Sequence, residues 1–284
     1  MMTIRLLLII LFIPFNVNSG TSIVASIKPI HSITSSIASN ISSPKLLLDS
    51  SQDAHHFHLK PSQIRMINDS NLLIAINPNF ETGMSKLLNG INGNNKIIIT
   101  DTKKINLIHS NDNSSTNYHL WLDISNMKII ANHIAEKLII IDPYNKNNYK
   151  SNLNILTLKL DKLEKKITNK LSKYRNNKLS TYSNSLQYFI ESNMLKKPSI
   201  VTNYHGGRLS IKAAIKARNT IINREINCLL SDIDISKEKI DTITNGLNIK
   251  KARIDVMGVN INEGSEQYFM LMNNITDEVV KCLQ

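Results

Sequence analysis

Between Tyr149 and Leu171 the apolar residues Leu153, Leu156, Leu160, Leu163, Ile167 and Leu171 advance by three or four positions at a time. Lys159, Asp161, Lys162, Glu164 and Lys165 fill the intervals. That period is a single apolar stripe on an α-helix, and a run of this length predicts a rod of roughly 30 Å or more. Few folds place one such rod in mid-chain with strand–helix alternation on both sides. A coiled-coil dimer would need more than about three heptads and ordered flanking charges. The segment is therefore expected to pack along both halves of one molecule.

On its amino side, short apolar runs at Ser22–Ile27, Lys45–Leu48, Asn71–Ile76 and Lys96–Thr100 read as strands. Helical patterns lie between them, over Pro29–Ile41 and from Pro61-Ser62 onward. On its carboxyl side, strand candidates at Lys178–Tyr182, Ser199–Thr202, Ile226–Leu230 and Ala252–Val256 alternate with helices over Ser210–Asn223 and Ser236–Asn245. The polar, Asn- and Ser-rich stretch Thr102–Asn117 reads as a loop. Alternation of this kind predicts an α/β protein with mainly parallel sheets. The expected organisation is a signal segment over 1–20, an α/β domain over 21–145, the long helix over 146–176 and a second α/β domain over 177–284, with a cleft between the domains.

The first twenty residues carry Arg5, an apolar core from Leu6 to Phe15 and a small polar exit Asn16-Val17-Asn18-Ser19-Gly20. The core is half the length needed to span a bilayer, so the segment reads as an export signal cleaved near Ser19/Gly20, with an uncleaved anchor as the alternative. The mature chain, about 264 residues, is expected to be soluble, monomeric and periplasmic. The net charge of +12 becomes +11 once Arg5 leaves with the signal. Its lysines are scattered and no aromatic-studded basic motif accompanies them, which with export argues against a nucleic-acid partner. Cys228 and Cys282 are the two cysteines; in an exported chain such a pair is more often a disulfide than two thiols, and no CxxC spacing favours metal ligation.

Two histidine units carry the chemistry. His55, His56 and His58 fall within Asp53–Ser62, after a strand and before a Pro-Ser helix start. His119 sits in Tyr118-His119-Leu120-Trp121-Leu122-Asp123, with the single tryptophan. Neutral imidazole is the commonest transition-metal ligand, so two such units at element edges point to a metal site rather than to a solvated polar loop. A zinc hydrolase is disfavoured because no HExxH motif or paired base appears.

In their order and spacing these residues resemble the periplasmic zinc-binding component of ABC-type metal importers (the ZnuA-like, cluster 9 metal solute-binding family). The resemblance runs over nearly the whole mature chain: Ala25-Ser26-Ile27-Lys28-Pro29, His55-x-Phe57-x-Leu59-Lys60-Pro61-Ser62, Asn71–Ile76, His119-Leu120-Trp121-Leu122, Tyr188-Phe189, Leu229-Leu230-Ser231-Asp232, Ile254-Asp255-Val256-Met257-Gly258 and Cys282-Leu283. It implies a binding protein, not an enzyme, with zinc as the transported ligand, manganese or iron as possible alternatives, and a membrane permease as partner. His55 and His119 match the first two metal ligands of that family, and Asp255 matches its carboxylate position. Ser183 stands where the third ligand, His or Glu, is expected, and Asp232 where a nearby Glu is usual. His205, in Tyr204-His205-Gly206-Gly207, is the candidate to replace the missing imidazole. His56 and His58 are expected at the surface, and His31 as structural or cleft-lining. Cys228 and Cys282 sit where some zinc-binding members carry a disulfide. An adhesin-like protein with a degenerate site remains the third functional class.

Overall fold

The computed structural model describes residues 20–49, 52, 54, 57–110, 115–202 and 210–284. Residues 1–19 of the expected export signal over 1–20, and His55, His56 and His205, lie outside them.

The first half runs β1 (Ile23–Ala25), α1 (Lys28–Ile37), β2 (Lys45–Leu46), α2 (Pro61–Asn68), β3 (Leu72–Ala75), α3 (Ser85–Gly90) and β4 (Lys96–Ile98). Its four strands are parallel in the order β2-β1-β3-β4. Both faces of a parallel sheet are covered, which is why β1 and β3 are apolar and buried at every position. The predicted strands are longer than the assigned ones, but pairing continues past β2: the Leu47 and Leu48 amides donate to Ala25 and Ser26 carbonyls at 2.9 and 3.0 Å. Helix α1 stops at Ile37 instead of reaching Ile41, where Asn40 adopts a left-handed φ of 60°.

The segment Thr102–Asn117 is more than the expected loop. It carries an antiparallel pair, β5 (Ile108–His109) and β6 (Thr116–Asn117). Strands of two residues in polar sequence leave no alternating pattern to read; the pair is held from outside, where the Ile108 amide donates to the Tyr188 hydroxyl at 2.9 Å.

Helix α4 (Ile124–Ile141), N-capped by Asp123, leads through a tight Pro143 turn into α5 (Lys146–Leu171). At 26 residues α5 is about 39 Å long. Of the predicted stripe, Leu156, Leu160, Leu163, Ile167 and Leu171 are buried and Leu153 is half-buried, while Tyr149 is buried one turn before it. The second half follows with β7 (Leu179–Thr181), α6 (Gln187–Ser192), β8 (Ser199–Ile200), α7 (Ile211–Asn223), β9 (Cys228–Asp232), α8 (Lys237–Thr244), β10 (Lys250–Ile254) and α9 (Gln267–Leu283). Its strands are parallel in the order β10-β9-β7-β8, the same connectivity as the first sheet. Strands β9 and β10 are displaced by two residues from their predicted spans, in opposite directions, so that Asp232 becomes the last residue of β9, in register with Ile254.

Helix α5 joins the halves. Asn152 donates to the Ile37 and Ser39 carbonyls at the end of α1 (2.9 Å each), while Lys159, Lys166 and Lys170 pair with Glu266, Asn273 and Asp277. The constant offset of 107 residues in those last three contacts means that α5 and α9 run parallel, side by side. One buried apolar cluster extends from Ile23 to Leu283 through Trp121, Leu160 and Tyr268; a smaller one under α7 and α8 contains Tyr182, Ala217, Ile221 and Ile243.

A polar lock reinforces the shared core. Lys28, at the start of α1, is buried, and its ammonium donates to the carbonyls of Gly258, Val259 and Ile261 at 3.2, 2.9 and 2.8 Å. Ser32 donates to the Ser265 carbonyl (2.9 Å) and accepts the Tyr268 amide (3.0 Å). Gly258 makes the turn possible, with φ at 71° and space for a Cβ only 2.0 Å from the Gln267 amide nitrogen. Cys228 at the start of β9 and Cys282 near the end of α9 form a disulfide with Cα atoms 5.5 Å apart.

Candidate metal centre

In open parallel sheets the loops at the carboxyl ends of the strands diverge where the strand order reverses, and ligands bind there. Here the reversal falls between β1 and β3 in one sheet and between β7 and β9 in the other. The segment Asn117–Trp121 lies against strand-end loops of both. From the first sheet, the Phe80 ring behind β3 packs on Tyr118, His119 and Trp121 at centroid distances of 6.1, 6.0 and 5.6 Å. From the second, the Asn184 carbonyl behind β7 accepts from the Asn117 amide (2.7 Å), and the Val256 carbonyl behind β10 accepts from the Trp121 indole (2.9 Å). Tyr268 donates to the Trp121 carbonyl at 2.8 Å.

His119 is buried, and its orientation follows from these contacts. Its Nδ1 lies 3.0 Å from Asn117 Oδ1, which also accepts the His119 backbone amide at 3.1 Å. Asn117 Nδ2 is already the donor to a carbonyl, so the oxygen end of that side chain is the one facing the imidazole. An acceptor there requires the proton on Nδ1, and Nε2 carries the lone pair.

At the edge of the second sheet, Ser183 follows β7, Asp232 ends β9, and Asp255 follows β10. Ser183 and Ser185 donate to the two Asp232 carboxylate oxygens at 2.8 and 2.7 Å, and all three residues are buried. Asp255 is half-buried and turned onto its own loop, accepting the amides of Met257 (3.2 Å), Gly258 (2.7 Å) and Asn260 (3.3 Å). Oδ1 takes both the Met257 and Gly258 amides, whereas Oδ2 takes the Asn260 amide alone and keeps a second lone pair, so those bonds fix Asp255 without exhausting it.

At the corresponding edge of the first sheet, Ser26 follows β1 and Glu81 lies behind β3. Glu81 is fully buried, and its Oε2 accepts the Ile76 and Asn77 amides at 2.8 and 3.1 Å. Burial pushes its pKa up to about 7 despite those donors. The Ser26 hydroxyl is near enough to ease that burial, but neither it nor Glu81 Oε1 completes a hydrogen bond. Gly83, two residues on, admits the backbone of Phe57: a Cβ there would stand 2.1 Å from the Phe57 carbonyl oxygen. That contact ties the exit of the histidine loop to the edge of the first sheet.

Of the residues singled out in the sequence, His119, Ser183, Asp232 and Asp255 therefore all lie on strand-end loops or beside them. His55 falls in the connection from β2 to α2 and His205 in that from β8 to α7, and both lie outside the described residues. Among the described residues no three His, Cys, Asp or Glu side chains form a ready-made metal cluster. His58 is exposed, and His31 is buried with Nε2 2.9 Å from the Pro44 carbonyl, a structural placement. Sequence reasoning missed Asn117, Glu81 and Tyr188. Tyr188 donates to the Asn117 carbonyl at 2.9 Å, and burial holds its hydroxyl neutral, with a pKa pushed up to about 12. Asparagine two positions before the key histidine was the available signal for the first.

Comparison with known proteins gives the family and the fold. The model of the family described as "Zinc-uptake complex component A periplasmic" matches residues 23–282. An uncharacterized protein of Rickettsia prowazekii (strain Madrid E) is 27% identical over 283 residues, covering 98% of this chain and 89% of the relative. The high-affinity zinc uptake system protein ZnuA of Yersinia pestis is 21% identical, covering 95% and 93%. Among solved structures, a crystal structure of ZnuA superposes with a TM-score of 0.81 at 18% identity over 94% of this chain and all of that one. The binding protein FpvC of Pseudomonas aeruginosa in complex with Mn2+ also gives 0.81, at 19% identity over 94% and 99%.

Proposed function

The chain belongs to the zinc-uptake complex component A periplasmic family, and from that premise we propose that it captures a divalent transition metal, zinc first, and hands it to an ABC-type permease for uptake. Zinc is cargo, bound and released without a covalent step, and no residue is assigned a catalytic role. The observation that carries this reading is the buried His119 imidazole, its Nδ1 proton committed to Asn117, set where strand-end loops of both sheets meet. His55 and His119 supply the imidazoles and Asp255 the carboxylate, which with a water makes a tetrahedral set. Ser183, a poor ligand for zinc, occupies the third-ligand position, with His205 and Asp232 as its possible substitutes. Residues 21–145 and 177–284 act as two α/β domains with the metal in the cleft between them.

The second reading within the same role is manganese or iron. It is favoured by the oxygen-rich second half, where Ser183, Ser185, Asp232 and Asp255 cluster at the sheet edge. The protein works in the periplasm as a soluble monomer after loss of residues 1–20. Among the described residues no helix is long and apolar enough to cross a membrane.

His55→Ala and His119→Ala are each expected to weaken zinc binding at least tenfold, about 1.4 kcal/mol, in competition titrations against a chelator. Unchanged affinity in both variants would remove the ligand assignment.

A further inference from the structure

We propose that Asn117 is the positioning residue of this site: its side-chain amide selects the imidazole nitrogen that His119 presents, and the second half of the molecule holds that amide in place. The proposal rests on the reading of His119 as a metal ligand, but its geometric part stands on contacts alone. Every polar group of Asn117 except its backbone amide is spoken for by these contacts. Oδ1 faces His119 Nδ1 at 3.0 Å and accepts the His119 amide at 3.1 Å. Nδ2 donates to the Asn184 carbonyl at 2.7 Å, and the Asn117 carbonyl accepts from the Tyr188 hydroxyl at 2.9 Å. Tyr188 in turn accepts the Ile108 amide, from the strand paired with β6.

The asymmetry of the amide group is what makes this a selection. Had Asn117 been rotated end for end, its NH2 would face the imidazole and demand a lone pair on Nδ1, leaving the proton on Nε2. Rotation is blocked because it would set the amide oxygen against the Asn184 carbonyl oxygen in a buried place, leaving both without a donor. The nitrogen presented by a first-half histidine is thus decided by a backbone carbonyl beside Ser183 in the second half. An imidazole whose other nitrogen donates a hydrogen bond is both oriented and more basic toward a metal. Ser183 and Asp232 are coupled to the same loop, through Ser183 Oγ and the Ser185 amide that donates to it at 3.2 Å. Loss of order at one ligand position therefore reaches the other through Asn117.

The test uses metal-free full-length mature protein and three variants. Long-range 1H–15N spectroscopy should find His119 protonated on Nδ1 in wild type and in Asn117→Asp, which keeps an acceptor oxygen. Asn117→Ala should move the proton largely to Nε2. Zinc titrations near pH 8, where imidazole is neutral, should find Asn117→Ala weaker than wild type by about ten- to a hundredfold. A proton on Nε2 in the wild-type protein would overturn the proposal without any variant having to fold. So would an Asn117→Ala protein that keeps both the Nδ1 proton and wild-type zinc affinity. Wild-type zinc affinity in His119→Ala would instead defeat the ligand reading while leaving the spectroscopic result standing.

Discussion

The two halves share one connectivity and place a serine and a carboxylate at the same topological position, yet they use the pair differently. In the first sheet Glu81 turns back onto its own strand end, capping the Ile76 and Asn77 amides, and the nearby Ser26 hydroxyl goes unpaired. In the second, Asp232 faces forward and receives hydroxyls from Ser183 and Ser185 on a neighbouring loop. A fully buried carboxylate turned onto its own strand end becomes a plug whose pKa burial pushes up to about 7. One reached by side chains from the next loop becomes a joint between loops. Topology sets where the carboxylate stands; the loop beside it decides what it does.

The contrast can be broken first at the disulfide. Cys228 and Cys282 staple the second sheet to α9, and the first half has no counterpart. Replacing both with serine is expected to lower unfolding stability by about 4 kcal/mol, from the loop-closure entropy of a link across 54 residues. A denaturant midpoint equal to wild type would place the stability of the second half elsewhere. The next largest effect concerns Glu81. Its folded pKa, about 7, lies above its unfolded value, so the folded state keeps a proton that the unfolded state releases. Stability should then fall as pH rises between about 4.5 and about 7, by about 3 kcal/mol, and level off above that range. Glu81→Gln should remove this slope; a wild-type-minus-variant difference that stays flat from acid to neutral pH would refute it. The smallest effect sharpens the comparison from the other side. Ser183→His gives the second half an imidazole at its third-ligand position and is expected to tighten zinc binding about tenfold, about 1.4 kcal/mol. If His205 already serves there, the gain disappears and His205→Ala becomes the damaging change.

Much of this was legible in the sequence, and the rest was hidden for identifiable reasons. The α5 stripe from Leu153 to Leu171 announces itself because one face of the rod meets solvent along its whole length. The strand–helix alternation is legible because buried parallel strands are short uninterrupted apolar runs. Helix α4 went unread: Ile124, Met127, Ile130, Ile134 and Leu138 are buried, but Ile129, Ile139, Ile140 and Ile141 blur the period. His119, Ser183, Asp232 and Asp255 were located through the family resemblance, and each stands at a strand end or beside one. What spacing could not reveal was partnership. Glu81 follows the polar run Asn77-Pro78-Asn79, and only packing shows it fully buried. Asn117 reads as the last residue of a polar loop, and its side-chain amide meets partners two and 67 residues further along the chain, a pairing that spacing does not show.

The Lys28 ammonium has a consequence for how often the molecule can gape. Swinging the two halves apart would break all three of its carbonyl contacts at once. Charge-assisted bonds of this kind contribute about 1.5–3 kcal/mol each, so parting the halves costs upward of about 5 kcal/mol before any apolar contact is lost. Fewer than about one molecule in a thousand would be found parted at any instant. Under the proposed function, metal exchange would then use doors rather than a hinge: small displacements of single strand-end loops while the halves stay together.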